Sequence, residues 1–179
     1  MTRLQQNGNR RTEGHRPKRL NAASTSRRAA KSPPPKPENN VGMNRLVVGL
    51  GASAGGLEAF KAFFAAMPPQ SGMAFVLIQH LDPQHKSLLV ELLSRETAMP
   101  VVQAEDGMPV AADHVFVIPP NAVMTIEGGV LRVTTPALPR AQRKPIDVFF
   151  ASLAADQEEK AVCVILSGSG SDGSLGLRA

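Results

Sequence analysis

The apolar run Leu46-Val47-Val48 leads straight into Gly49-Leu50-Gly51-Ala52-Ser53-Ala54-Gly55-Gly56, and this junction constrains the fold more than any other stretch of the chain. Apolar residues then recur at Leu57, Phe60, Phe64 and Met67. That order predicts a buried strand, a sharp turn and a helix over 57–66. Gly51-Ala52-Ser53-Ala54-Gly55 fits the G-x-S-x-G nucleophile elbow, in which a tight turn lifts a serine hydroxyl above the end of a sheet. Only alanines flank Ser53, as a crowded strand–turn–helix junction requires. A carbonyl lying on the turn would meet the Ala54 backbone N–H, which makes Ala54 an oxyanion candidate. Two other readings stay open from the turn alone. Gly49-x-Gly51-x-x-x-Gly55 is a variant of the dinucleotide fingerprint, and a plain βα turn would use the same glycines for packing only.

Beyond the first helix the pattern keeps alternating. Residues 73–79 (Met-Ala-Phe-Val-Leu-Ile-Gln) form a continuous apolar run, as expected of a strand buried on both faces. Residues 87–95 have helical period, and 100–102 open a short strand. Val115-Phe116-Val117-Ile118 is stopped by Pro119-Pro120. The segments 124–126 and 130–133 flank Glu127-Gly128-Gly129, a hairpin signal. A helix opened by Pro145 is expected over 145–155, then a strand over 161–166. Strands separated by helices predict parallel pairing, hence a three-layer, doubly wound α/β domain with a mostly parallel sheet and an antiparallel hairpin on its edge. Ser174-Leu175-Gly176-Leu177-Arg178-Ala179 reads as the first turn of one more amphipathic helix. A helix that short is not expected to close a domain, so the reading includes truncation at the C-terminus.

Charge divides the chain in two. Residues 1–40 carry 10 Lys/Arg against 2 Asp/Glu, whereas the remainder carries 10 against 13, within a total of +5. Residues 1–41, with Ser32-Pro33-Pro34-Pro35-Lys36-Pro37 and few large apolar side chains, read as a disordered basic tail. Residues 42–179 read as one catalytic domain. No aromatic residue is interleaved with the tail's arginines, so base stacking has no platform and nucleic acid is not expected as a partner. No run approaches the ~20 apolar residues of a membrane span, and the first residues do not read as the short apolar region of a secretory signal. Cys163, the single cysteine, lies in an apolar strand and reads as a small core residue. These features place the chain in the cytoplasm, and the reading calls for no cofactor and no metal.

Ligands of parallel sheets bind beyond the carboxyl ends of the strands. Three strands here end in reactive residues: one at Ser53, one at Gln79-His80, and one in Ser167-Gly168-Ser169-Gly170-Ser171-Asp172-Gly173. Ser53, His80 and Asp172 are the set that nucleophilic acyl transfer needs, with Ala54 and Ser169 as backbone candidates for the oxyanion. Each has a plainer reading. His80 could be a strand-end histidine with an incidental partner. Asp172 could be the N-cap of a helix starting near Ser174. His85 competes with His80 but falls on an expected first helical turn. Asp106, Asp113 and Asp147 read as surface residues with nothing to pair them to Ser53.

Four motifs in order, Gly49–Gly56, Ile78-Gln79-His80-Leu81-Asp82-Pro83, Val117-Ile118-Pro119-Pro120 and Leu166-Ser167-Gly168-Ser169-Gly170-Ser171-Asp172-Gly173, resemble the catalytic domain of the CheB-type chemotaxis protein-glutamate methylesterases. The resemblance implies a doubly wound α/β fold and a serine-hydrolase triad, with the nucleophile on Ser53, the histidine on His80 and the aspartate on Asp172. It implies hydrolysis of glutamyl methyl esters, and deamidation of glutamines, on the cytoplasmic region of chemoreceptors. The chain order Ser, His, Asp departs from the Ser, Asp, His of the α/β-hydrolases. Ala54 stands where many family members carry threonine, and the first 40 residues cannot form the usual phosphoacceptor receiver. Both features resemble methylesterase modules that open fusions with methyltransferase and sensor domains. Against this stand a nucleotide-binding module, which would place an acidic residue where Gln79-His80 stand, and a catalytically idle interaction domain.

Overall fold

The computed structural model describes residues 45–53, 55–80, 88–139, 142–168 and 170–179. The expected basic tail, Ala54, His85 and Ser169 lie outside the described residues.

Among the described residues, eight strands and three α-helices follow in chain order. They are β1 (Val47–Ala52), α1 (Gly56–Ala66), β2 (Ala74–Gln79), α2 (Leu89–Leu93), β3 (Val101–Gln103), β4 (Met108–Pro109), β5 (Val115–Val117), β6 (Val123–Glu127), β7 (Val130–Thr134), α3 (Pro145–Gln157) and β8 (Ala161–Ser167). A five-stranded parallel sheet runs β3-β5-β2-β1-β8. Side chains alternate across it, as the strand period of two demands. Val48, Leu50, Phe75, Leu77, Val115 and Val117 pack with Phe60 and Phe64 of α1 and with Leu89 and Leu93 of α2. Val47, Val76, Ile78 and Phe116 face the other way, onto Ile146, Phe149, Phe150 and Leu153 of α3. The result is the expected three-layer α/β arrangement.

The hairpin β6–β7 is antiparallel, as its Gly128-Gly129 turn predicts. It does not extend the parallel sheet. With β4 it builds a sheet of its own, ordered β4-β7-β6. A two-residue strand ending in proline has no periodicity to read, which is why β4 is invisible in the sequence. Asp156 of α3 accepts the Gly128 and Gly129 N–H groups, and the Ser152 hydroxyl accepts that of Ile126. These bonds tie the small sheet to α3, and through α3 to the strand ends.

After β8 the chain makes a turn and a short 3₁₀ helix, Gly176–Arg178, rather than the α-helix expected from Ser174. No helix among the described residues is long and apolar enough to cross a membrane.

Candidate active site

Register decides where the strand ends meet. Ala52 pairs with Gln79 on one side and with Ser167 on the other, so Ser53 and His80 are each the next residue beyond a matched pair of neighbouring parallel strands. Between Gly51 and Ala52 the register against β8 shifts, a bulge that re-aims the strand end just before Ser53. The Ser53 N–H donates to the Ser167 carbonyl at 3.0 Å, and the Ser53 carbonyl accepts the Gly56 N–H at 3.1 Å. A Cβ added at Gly168 would come within 3.3 Å of the Ser53 Cβ. The exit of β8 therefore runs against the serine turn.

The glycines of that turn serve different ends. A Cβ at Gly51 would meet the Ile146 side chain at 2.6 Å, and one at Gly49 would meet Leu153 and Phe150 at 3.0 Å. Both are packing glycines inside β1 that let α3 approach. This occupies two of the three positions on which a dinucleotide reading depends. Gly55 differs, since its φ of 75° is left-handed while nothing lies near its missing Cβ. Glycine is needed there for conformation. Gly55, the N-cap of the α1 helix that follows, has no side chain to cap it, and no other side chain among the described residues does so.

His80 Nε2 lies 2.6 Å from Asp172 Oδ2, across 92 residues of sequence. The same carboxylate accepts the Ile146 N–H at 3.2 Å and the Asp147 N–H at 2.9 Å. These are the first N–H groups of α3, because Pro145 at its start has none. Asp172 thus caps α3 from a distant loop, in place of Lys144, whose side chain makes no cap. Burial pushes the Asp172 carboxyl upward, but the His80 hydrogen bond and the Asp147 and Ile146 N–H groups outweigh it, so the carboxyl sits below its ordinary value. An ionised carboxylate only accepts, so Nε2 holds a proton, and in the neutral ring the lone pair is on Nδ1. Nδ1 is the ring atom able to take a proton from a hydroxyl. The His80 side chain is 37% exposed and that of Asp172 only 10%. A substrate can reach the imidazole while its partner stays covered.

Asp147 corrects the sequence reading, which placed it on the surface. It is 9% exposed, and its Oδ1 accepts the Leu175 and Gly176 N–H groups at 2.9 and 2.8 Å. Oδ2 is buried without a hydrogen bond and lies 3.7 Å from Lys144 Nζ. The two aspartates form a reciprocal pair. Asp172 caps the helix that carries Asp147, and Asp147 caps the turn that follows Asp172. The expectation that Asp172 caps its own following segment is therefore half right, for it caps a different helix and Asp147 does the local work. A sequence signal for this exists: Pro145 opens a helix whose preceding residue cannot cap, so a cap must come from elsewhere. Asp113 and Asp106 are loop clamps, accepting the Gly72 and Val133 N–H groups.

Of the sequence candidates, His80 and Asp172 are joined by a hydrogen bond. Ser53 sits at the adjoining strand end, with no side-chain hydrogen bond among the described residues. The Ser167 hydroxyl beside this turn is buried and without a partner among them. No group of three or more His, Cys, Asp or Glu among the described residues is arranged to hold a metal ion. Burial pushes the Cys163 thiol up to about 11, which keeps it protonated.

Comparison with known proteins gives a consistent picture. The family model described as CheB methylesterase matches residues 48–179. The chain is 37% identical over 147 residues to protein-glutamate methylesterase/protein-glutamine glutaminase 3 of Burkholderia orbicola, an alignment covering 82% of this chain and 43% of that protein. It is 52% identical over 91 residues to an uncharacterized 104.1 kDa protein of Rhodobacter capsulatus, covering 51% of this chain and 10% of that one. The crystal structure of the Thermotoga maritima CheB methylesterase catalytic domain is similar in fold, with a TM-score of 0.66 at 24% identity, covering 75% of this chain and 73% of that domain. The chain spans less than half the length of the Burkholderia relative.

Proposed function

The chain belongs to the CheB methylesterase family, and from that premise we propose that it hydrolyses glutamyl methyl esters on the cytoplasmic region of chemoreceptors through Ser53, His80 and Asp172. The observation that carries this reading is the 2.6 Å bond between His80 Nε2 and Asp172, set one residue beyond the strand pair that also leads to Ser53.

In this mechanism His80 Nδ1 takes the Ser53 proton as Oγ attacks the ester carbonyl. Asp172 holds the ring and stabilises the imidazolium that forms. The tetrahedral oxyanion is proposed to form near the N-terminal end of α1, with the backbone N–H groups of Ala54 and Ser169 as its proposed donors. Collapse expels methanol, which takes its proton from His80 and leaves an acyl ester on Ser53. Water then attacks, His80 takes its proton, and glutamate is released as Ser53 regains its hydrogen. Deamidation of glutamine follows the same steps with ammonia leaving. The proposed setting is cytoplasmic. The module is proposed to work beside methyltransferase or sensor domains, a reading supported by its likeness to a small part of the 104.1 kDa Rhodobacter capsulatus protein.

The direct test is methanol release from methylated receptor, run with Ser53→Ala alongside. Release that persists in Ser53→Ala removes the nucleophile assignment. No release from the intact chain leaves the idle interaction domain as the better reading.

A further inference from the structure

Next to His80 a cleft opens that the proposed chemistry leaves unused. It is lined by His80 and Gln79 on one side, Ile118 and Asn121 on another, and Arg143 and Pro145 ahead of α3. Arg143 is its only cation among the described residues, and it is held rather than loose. Its Nε donates to the Leu138 carbonyl at 2.6 Å, and its Nη1 donates to Asn121 Oδ1 at 2.6 Å. Asn121 takes a left-handed φ of 54°, a conformation non-glycine residues adopt at some cost and asparagine tolerates best. The backbone strain there goes with an amide oxygen aimed at the guanidinium.

Two of the five guanidinium N–H groups are thereby spent, and the other three, including both on Nη2, meet no acceptor among the described residues. No carboxylate among the described residues pairs with Arg143. Arg95 and Arg132, by contrast, are paired with Glu91 and Glu127, close to them in sequence. A fork fixed at two points, with an open edge in a cleft walled partly by Ile118 and Pro145, is organised for a planar two-oxygen anion. Its rotamer freedom is already given up, so little more is lost on binding.

We propose that Arg143 is a specificity residue that binds a carboxylate side chain of the protein substrate, placed beside the residue whose ester is cleaved. The proposal rests on the ester-hydrolase reading, because that reading puts the scissile group at His80 and hence the neighbouring part of the substrate in this cleft. Covalent geometry links the two sites. Arg143 precedes Pro145 and the Ile146 N–H, which holds the carboxylate that holds His80. An acidic substrate segment seated on Arg143 is thus registered against the imidazole.

The experiment uses synthetic peptides with one glutamyl methyl ester and either glutamate or glutamine at each of the neighbouring positions in turn. With the intact chain, kcat/KM should favour glutamate at one position by about tenfold, the order expected of a charged hydrogen bond, with the effect in KM. Arg143→Gln should bring that glutamate-to-glutamine ratio close to one. Arg143→Lys, with charge but no fork, should restore part of it. The preference should weaken as salt is raised. A ratio equal in the intact chain and Arg143→Gln, or no preference at any position, overturns the proposal. The same ratio is read without turnover by fluorescence anisotropy of labelled peptides on Ser53→Ala and on Ser53→Ala with Arg143→Gln. Loss of the acidic preference only in the double variant supports the proposal even where no ester is cleaved, so its failure and that of the hydrolase reading are told apart.

Discussion

Two helix N-termini frame the site, and they are treated in opposite ways. Each ends in unpaired N–H groups and the positive end of a helix dipole. At α3 that end is filled by a resident anion, Asp172, which accepts two backbone N–H groups and the His80 ring together. At α1, behind the Ser53 turn, no side chain among the described residues caps the end, and Gly55 takes a left-handed conformation there. The same element therefore supplies a permanent partner for histidine in one place and an open electropositive end beside serine in the other. A hydrolase needs both, since one charge must be present throughout and the other appears only in the transition state.

The largest effects should come from the open side. Ser53→Ala should lower methyl-ester turnover by about 10⁴-fold or more, since the covalent step disappears, while a thermal melt stays close to that of the parent. A large loss of melting temperature in this variant would mean that the turn, rather than the hydroxyl, was the thing measured.

On the filled side two functions can be separated by substitution. Asp172→Asn keeps an oxygen to cap α3 but no longer fixes the tautomer of His80, so kcat should fall by about 10⁴-fold with a smaller loss of melting temperature than Asp172→Ala. Asp172→Ala should lose the same turnover and, in addition, about 1 kcal/mol of cap, read as a melting point lower by about 3 °C. Equal melting points for the two variants would refute the capping role. His80→Ala should cost about 10²–10⁴-fold in rate, while His85→Ala should retain turnover.

Acid should expose the resident charge. The Asp172 carboxyl lies below its ordinary value in the folded chain. Its contribution to stability is therefore complete above the unfolded carboxyl value of about 3.9 and is lost as pH falls through the lower folded value. The difference in melting temperature between the parent and Asp172→Ala should be flat from neutral pH to about 5 and shrink below about 4. A difference that grows toward low pH would contradict the sign of the shift.

The smallest effects concern supporting groups. Asp147→Asn keeps one carbonyl for the Leu175 and Gly176 N–H groups, so turnover should fall only several-fold, with melting lower by a few degrees. Gly55→Asp and Gly55→Asn strain the left-handed turn alike, but only the first carries a carboxylate to the end of α1. Its charge opposes the oxyanion, and kcat should be several-fold lower in Gly55→Asp than in Gly55→Asn.

Much of this architecture could be read locally. The glycine turn after Leu46-Val47-Val48, the period of α1, the apolar run of β2 and Pro145 at the head of α3 are short-range signals, and each element stands within a few residues of its expected bounds. The strand-end argument placed Ser53, His80 and Asp172 on one edge, because parallel strands bring all their carboxyl ends to one side. Sequence could not say that β2 is fully buried apart from its end while β8, just as apolar, is half-exposed along its length. Among the described strands, β2 lies between β1 and β5, whereas β8 pairs with β1 alone. Nor could it show that the loop after β8 meets the N-terminus of α3, or that Asp147 is buried to hold that loop in return. Periodicity and turn chemistry act over a few residues and determined the elements, whereas these contacts span 25 residues or more and exist only once packing has chosen each loop's neighbour.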